Sequence, residues 1–191
     1  LGQQRIKVFE TAMGIWGAIL PSSVNIRVEA RFDPLTPCDA TGGVLGSASA
    51  ISVVSDFGGA LVANTWYPVA LSNKLAGVDL APTTNDITAR FNSSVDDVLC
   101  LGSSDWYYGL VHDEGEDQDL LAVVLHELGH GLGFQTFAST STGQWLNSVP
   151  DIFGRHLLDN SNANHWDEMN NAGRKNSATN TGNLVWDGPA V

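Results

Sequence analysis

The first twenty residues carry apolar side chains at intervals of three or four positions, which is typical of a helix with one buried face. This spacing predicts a helix over residues 5–20 that ends where Pro21 removes a backbone donor. The apolar positions that define this expected stripe are Ile6, Phe9, Met13, Trp16 and Leu20.

Further along, apolar and polar residues alternate in several short segments, a pattern that predicts half-buried strands. Alternation over 24–32 and 86–92 predicts two strands, and the small and β-branched residues of 44–54 predict another. Residues 66–71 form a shorter apolar element. Loops rich in Gly, Asn, Asp and Ser separate these segments, as expected between short strands.

The most regular helical pattern covers residues 120–132. Leu121, Val124, Leu125 and Leu128 predict its buried stripe, Asp117 and Asp119 are expected to cap its start, and Gly131 and Gly133 to end it. Beyond it, residues 151–159 predict one or two helical turns, and the chain from residue 160 is rich in Asn and lacks periodicity. Helices and strands in this order predict an α+β fold.

Composition restricts the function classes. The 191 residues suit one domain, 43% of them are hydrophobic and only 16% are charged. The net charge of −12 disfavours binding to nucleic acids and to anionic membranes, because a negatively charged protein surface repels both. No apolar run approaches the roughly 20 residues that cross a bilayer, so we expect no membrane span.

Cys38 and Cys100 are the two cysteines, and they lie far apart in the sequence. An even pair in a chain with few lysines and many acidic residues favours an extracellular protein with one disulfide, the alternative being two buried thiols. The chain begins at Leu1 rather than Met, so we expect a mature or excised segment of a secreted protein.

The segment from His126 to His130 reads His-Glu-Leu-Gly-His within the predicted helix. Histidines four residues apart lie on one helical face, where both imidazoles can bind the same Zn²⁺. Glu127 stands beside the first of them and is positioned to act as general base toward a metal-activated water. The pattern therefore predicts His126 and His130 as metal ligands and Glu127 as the catalytic residue.

A catalytic zinc site needs a third protein ligand, which the compact motif His-Glu-x-x-His-x-x-Gly-x-x-His places three residues after the glycine. Here that position holds Thr136, a poor ligand for zinc. The third ligand must therefore come from further along the chain, where the candidates are Asp151, His156 and His165. Met169 follows closely and is expected to lie below the metal.

The segment His-Glu-Leu-Gly-His-Gly-Leu-Gly-Phe over 126–134 resembles the active-site helix of metzincin-type zinc metallopeptidases. It is most similar to leishmanolysin-like members, in which an insertion separates the glycine from the third ligand. Other stretches resemble the catalytic domain of bacterial secreted peptidases that carry a protease-associated domain. These stretches are residues 14–17, 26–33, 65–70, 106–109 and 184–188.

The resemblance implies a metzincin-like fold, with a twisted, mixed or mostly antiparallel sheet over the active-site helix. Residues 1–134 would form the N-terminal subdomain and 135–191 an irregular C-terminal subdomain of a single catalytic domain. It favours Asp151 over His165 as third ligand and places Met169 in a Met-turn. It also implies a sheet-edge strand that binds extended substrate, for which residues 86–92 are the candidate.

We therefore expect a secreted, monomeric zinc endopeptidase that acts on protein or peptide substrates. A propeptide or an accessory domain outside this segment is a possible partner, and the acidic loop 111–119 is a candidate Ca²⁺ site. The main alternative is a non-catalytic extracellular binding or adhesion module stabilised by zinc. A third hypothesis is a zinc hydrolase that acts on non-peptide amides. A chemical role for Glu127 distinguishes the peptidase from the binding module, and substrate profiling distinguishes the peptidase from the hydrolase.

Overall fold

Helices and short strands alternate through residues 1–188, the part of the chain that a computed structural model describes. The helices are α1 (Gly2–Ile19), α2 (Val69–Ala76), α3 (Leu120–Leu132), α4 (Ile152–Arg155) and α5 (Asn171–Ser177). The strands are β1 (Val28–Asp33), β2 (Cys38–Asp39), β3 (Gly42–Gly43), β4 (Gly46–Ala50), β5 (Val53–Val54), β6 (Tyr67–Pro68), β7 (Ile87–Asn92), β8 (Trp106–Tyr107), β9 (Gln118–Asp119), β10 (Leu157–Asp159), β11 (Asn164–His165) and β12 (Leu184–Trp186). This mixture confirms the α+β class.

The main sheet has three strands in the order β1-β7-β4. β1 runs parallel to β7 and β4 runs antiparallel to it, so the sheet is mixed. The prediction that residues 86–92 form an edge strand is therefore wrong, because β7 is central and hydrogen-bonded on both sides. Alternation along the sequence indicates which side chains are buried, but it does not indicate how many neighbours a strand has.

One face of this sheet packs against α1 and α3. On β7, Ile87, Ala89 and Phe91 point into the protein while Thr88 and Arg90 are exposed. The main hydrophobic core combines these inward side chains with buried residues of both helices. Its fully or nearly fully buried members are Val8, Ala12, Ala89, Phe91, Val95, Cys100, Trp106, Leu120, Val124 and Leu128.

Helix α1 forms close to the predicted residues 5–20, and Phe9 and Trp16 of the predicted stripe pack against the main core, but its most deeply buried positions are others. Val8 and Ala12 are completely buried, whereas Ile6 and Met13 are 59% and 45% exposed. Both rows of side chains are apolar, so spacing alone does not decide which of them faces the core. Although α1 is the longest helix of residues 1–188, neither it nor any other helix there is apolar enough to span a bilayer.

Helix α3 has the predicted boundaries of residues 120 and 132. The Asp119 side chain caps it by accepting hydrogen bonds from the Leu121 and Ala122 amides at 2.9 and 3.2 Å, whereas Asp117 accepts one from the Asp105 amide instead. The helix ends at Gly133, whose φ of 131° is a conformation that side-chain-bearing residues rarely adopt.

The disulfide prediction is confirmed, since Cys38 and Cys100 are bonded across 62 residues of sequence. The bond joins β2 to the segment that follows the 3₁₀ turn over 93–96. Cys100 lies within the main core, so this link closes a long loop directly against buried apolar side chains.

The C-terminal part is more regular than its composition suggests. Residues 157–186 form an antiparallel sheet in the order β11-β10-β12, with α5 between the last two strands of the sequence. A second hydrophobic cluster lies here, built on Ala138, Leu157 and Trp166. The expected helical turns over 151–159 are correct only for α4, because β10 follows it. Strands of two or three residues are too short to show a period in the sequence.

A similar correction applies to residues 66–71, which hold β6 and the first turn of α2. Pro68 directly precedes α2, which then ends at Gly77 with φ of 68°. Pro at the start of a helix and Gly just beyond its end are common signals of helix boundaries. That signal identifies α2 more clearly than the apolar pattern does.

Two glycines of α3 provide a matched test of this packing. A Cβ on Gly131 would collide with the buried Ile87 side chain, reaching 2.9 Å from its Cδ1, whereas a Cβ on Gly129 would lie 3.4 Å from the Trp16 ring. We expect Gly131→Ala to destabilise the fold by about 1–3 kcal/mol through overpacking. Gly129→Ala should be neutral or stabilising by up to about 1 kcal/mol, because Ala favours helix. Urea unfolding of both variants measures the difference, and equal stabilities would contradict it.

Asp159 provides a test of pH dependence. Its buried carboxylate accepts hydrogen bonds from the Ser161 hydroxyl at 2.6 Å and from the Ser161 amide at 2.9 Å. These bonds, chiefly the one from the hydroxyl, lower the pKa of Asp159 to about 2, against the opposite effect of burial. The folded-state pKa is below the unfolded value, so the stabilisation is present above about pH 4 and is lost toward about pH 2.

We therefore expect Asp159→Asn to destabilise the protein near neutral pH and to flatten the decline of its stability in acid. Urea unfolding at several pH values, together with a ¹³C titration of the Asp159 carboxyl, measures both effects. An ordinary pKa for Asp159 would contradict this account.

Candidate metal centre

His126 and His130 project from the same side of α3. Their Nε2 atoms are 3.0 Å apart, and the two ring planes are nearly perpendicular at 88°. Two nitrogen ligands of a tetrahedral zinc ion lie roughly 3.3 Å apart, given Zn–N bonds of about 2.0–2.1 Å. The spacing of the two nitrogens therefore fits a shared metal ion.

The tautomer of His130 follows from its other ring nitrogen. Nδ1 lies 2.8 Å from the carbonyl oxygen of Phe134, which only accepts hydrogen bonds. Nδ1 therefore carries the proton and donates it, so the Nε2 lone pair of neutral His130 is directed toward His126. A metal-bound histidine usually has this arrangement, with its second nitrogen donating to a carbonyl or carboxylate. The two imidazoles thus fit a zinc ion by geometry and chemistry, as two of the three protein ligands that a catalytic site needs.

Glu127 lies between the two histidines in sequence but is 92% buried, since only 8% of its surface is exposed. It faces β4, where a Cβ added to Gly46 would lie 3.1 Å from Glu127 Cγ. Gly46 therefore leaves the space that the Glu127 side chain needs. A groove of about 450 Å³ runs along this contact, lined by Val44, Leu45, Gly46, Ala122, Val123, His126 and Glu127.

Strand β4 is the sheet edge nearest to this groove. It pairs with β7 on one side, and the sheet of described residues ends at β4 on the other. A hydrogen bond of 2.9 Å from the Gln135 side chain to the Ser49 hydroxyl joins β4 to the loop after α3. The strand predicted over 44–54 is confirmed by β4 and β5. Its place at the sheet edge and the role of Gly46 were not predicted, because the pairing of β4 to β7 is a long-range contact.

Asp151, predicted as the third metal ligand, has a different role in the structure. Its side chain is completely buried, and both carboxylate oxygens already accept hydrogen bonds from protein groups. Oδ1 accepts from the Gly154 amide at 2.6 Å, and Oδ2 accepts from the Thr136 hydroxyl and the Phe137 amide, both at 2.8 Å. Burial raises the pKa of this carboxyl. The structure therefore argues against Asp151 as a ligand, because its oxygens are turned toward these donors.

The two histidine candidates lie in the C-terminal part. His165 Nε2 is 2.9 Å from Asp187 Oδ2, and this hydrogen bond raises the pKa of His165. Its Nδ1 is 3.7 Å from a Glu168 carboxylate oxygen. The His156 ring contacts Trp186, with centroids 5.6 Å apart. Within residues 1–188, neither histidine brings a ring nitrogen within 4.8 Å of both His126 and His130.

The acidic loop before α3 does gather possible ligands. His112, Glu114 and Asp119 place one ligand atom each within 4.8 Å of one another. His112 Nδ1 is 2.8 Å from Glu114 Oε1, and one oxygen of Asp119 caps α3. Ca²⁺ prefers oxygen ligands, so the His112 imidazole is an unusual ligand for Ca²⁺ in this cluster. Calcium binding stays a prediction.

Met169 packs against the second hydrophobic cluster, beside Trp166. Its position as a Met-turn residue below the zinc stays a prediction. Three aromatic rings from distant parts of the chain meet at the end of α3: Phe134 stands between Trp16 and Trp186, with centroid distances of 6.2 and 6.5 Å. The residue whose carbonyl orients His130 is thus held by rings from both ends of the chain.

Comparison of this chain with known protein families, with curated proteins and with solved structures found no match. The resemblance to metzincin-type peptidases therefore stays a prediction that depends on residues 126–134 and on the other sequence stretches that resemble these peptidases.

Proposed function

We propose that this protein is a secreted zinc-dependent endopeptidase of metzincin type, with its catalytic residues on α3. The observation that carries the proposal is the convergence of two imidazole nitrogens 3.0 Å apart beside a buried glutamate that faces a groove. A purely structural zinc site is closed by four protein ligands and has no use for a base beside it. The position of Glu127 therefore favours catalysis over a binding or adhesion module.

His126 and His130 would hold the zinc through Nε2. A histidine of the C-terminal part would supply the third ligand, and His165 and His156 are the two alternatives. His165 has the chemistry of a ligand whose second nitrogen is held by a carboxylate, here Asp187. The His156 ring forms no hydrogen bond within the described residues and contacts Trp186, which in turn packs against Phe134. Either histidine would need to approach α3 when the metal binds.

The bound zinc would lower the pKa of a water molecule toward neutrality and polarise the carbonyl of the scissile peptide. Glu127 accepts a proton from that water as its oxygen attacks the carbonyl carbon. The same carboxylate then donates the proton to the amide nitrogen as the C–N bond breaks. Burial of Glu127 beneath β4 limits its side-chain motion and keeps it directed into the groove.

The substrate would lie extended along β4. An edge strand presents unpaired backbone groups to a peptide, which can add to the sheet as a further strand. The side chains of β4 are those of Gly, Ser and Ala, so a peptide backbone can approach closely. The disulfide and the net charge of −12 are compatible with an extracellular protein that acts on other proteins.

The role of Glu127 is tested by Glu127→Gln, which keeps the shape of the side chain and removes the base. We expect hydrolysis of casein or a quenched peptide to fall by roughly 10²–10⁴-fold, with zinc affinity retained. Glu116→Gln changes the same charge at an exposed position of the acidic loop and should leave activity unchanged. Wild-type activity should disappear with a chelator and return with zinc. Hydrolysis that survives both chelation and Glu127→Gln would refute the assignment.

The third ligand is identified by comparing His165→Ala with His156→Ala. Loss of the ligand should weaken zinc binding by more than the ~10–100-fold typical of an outer hydrogen bond, and should change the absorption spectrum of the Co²⁺-substituted protein. Asp187→Asn should weaken binding only if His165 is the ligand. His112→Ala reports separately on any zinc bound at the acidic loop, because His112 belongs to that other cluster of metal-binding side chains. Unchanged affinity in both histidine variants would exclude a third histidine ligand.

A further inference from the structure

Asp151 is a buried carboxylate whose hydrogen bonds all come from uncharged groups. Its three donors are the Gly154 amide, the Phe137 amide and the Thr136 hydroxyl. No lysine or arginine of residues 1–188 forms an ion pair with it. Removing a carboxylate from water without a cationic partner is costly, and it is tolerated when several hydrogen bonds satisfy the oxygens. Asp151 is satisfied in this way.

These hydrogen bonds join two segments that are separate in the sequence. Thr136 and Phe137 belong to the loop directly after α3, the post-helix loop, and Gly154 lies in α4, which Asp151 caps. The backbone around Asp151 also pairs with Trp66: the Trp66 amide donates to the Pro150 carbonyl at 2.8 Å, and the Ile152 amide donates to the Trp66 carbonyl at 2.9 Å. The carboxylate thus anchors the post-helix loop to a point that is itself fixed by the segment leading into β6.

The anchored loop contains the carbonyl that orients His130. Phe134, whose oxygen accepts the His130 Nδ1 proton, lies three residues before Phe137. Gly133 starts the turn, and the Asp151 hydrogen bonds to Thr136 and Phe137 end it. The direction of the Phe134 carbonyl therefore depends on a short segment that is held at both ends.

The packing around Asp151 leaves little freedom for this anchor. A Cβ added to Gly154 would lie 2.9 Å from Thr136 Oγ1 and 2.6 Å from Trp145. Gly154 of α4 therefore lies close to Thr136 of the post-helix loop, and the Asp151 carboxylate accepts hydrogen bonds from both residues. All three partners of the carboxylate are hydrogen-bond donors. The NH₂ group of an Asn at this position is also a donor and would face at least one of them, so Asn does not reproduce the three hydrogen bonds.

We propose that Asp151 is a positioning residue for the metal centre, which acts through the 134–137 loop to hold His130 in the tautomer that directs Nε2 at the metal. Asp151 touches neither the metal nor the substrate in this role. The inference rests on the proposed zinc site and differs from the sequence-based prediction, in which Asp151 is itself a ligand.

The test compares Asp151→Asn with Asp159→Asn. Both replace a buried carboxylate of the C-terminal part, but the Asp159 carboxylate accepts its hydrogen bonds from Ser161 and Asn180, and none from the post-helix loop. Asp151→Asn should weaken Zn²⁺ binding by ~10–100-fold with an unchanged Co²⁺ spectrum at saturation, as expected for loss of an outer hydrogen bond. Asp159→Asn should keep the wild-type affinity, although it also loses stability.

A second readout uses metal-free protein. The ¹⁵N shifts of the neutral His130 imidazole should show the Nδ1-protonated tautomer in the wild type and in Asp159→Asn, and a mixture of tautomers in Asp151→Asn. Thr136→Val removes a single donor, so it should shift the tautomer balance in the same direction by a smaller amount. If Asp151→Asn does not fold, the tautomer of His130 is measured in Thr136→Val instead.

Two outcomes would overturn the inference. A changed Co²⁺ spectrum in Asp151→Asn would make Asp151 a ligand, and an unchanged His130 tautomer would make its role only structural. Because the tautomer is measured without metal or substrate, this result is independent of whether the wild-type protein cleaves peptides.

Discussion

The close packing of α3 against the central strand β7 is the constraint on which the rest of the structure depends. Gly131 lets the helix approach the buried Ile87 side chain, while Val124 and Leu128 bury the same face of the helix in the main core. A helix that buries one face must present the opposite face outward. His126 and His130 lie on that outer face, so the packing that stabilises the domain also positions the paired imidazoles.

The edge strand β4 provides the second half of the arrangement. It covers Glu127 on one side and leaves its own outer edge unpaired within the described residues. A buried carboxylate and an exposed strand edge thus occur side by side, which is the combination that the proposed cleavage of an extended peptide would require. Gly46 makes this contact possible, because any side chain there would crowd the glutamate.

Buried polar groups organise the C-terminal part, where the hydrophobic cluster is small. Asp151 and Asp159 each order a turn by accepting several hydrogen bonds, and the buried Arg174 donates to the Gly143 carbonyl at 2.6 Å while its guanidinium stacks on Trp145. Such networks specify one conformation because a displaced member leaves the others unsatisfied. In this protein the Asp151 hydrogen bonds link the loop after α3 to a segment distant in sequence.

The sequence by itself determined the boundaries of α3, its Asp119 cap and the HExxH pattern, because helical spacing and capping are local properties. It also indicated the α+β class and the cysteine pair. Only the tertiary structure decided that β7 is central, that β4 forms the edge of the groove, and that the Asp151 oxygens face three protein donors. These features depend on contacts between residues far apart in the chain, where several pairings satisfy the same local pattern and only packing in three dimensions selects one.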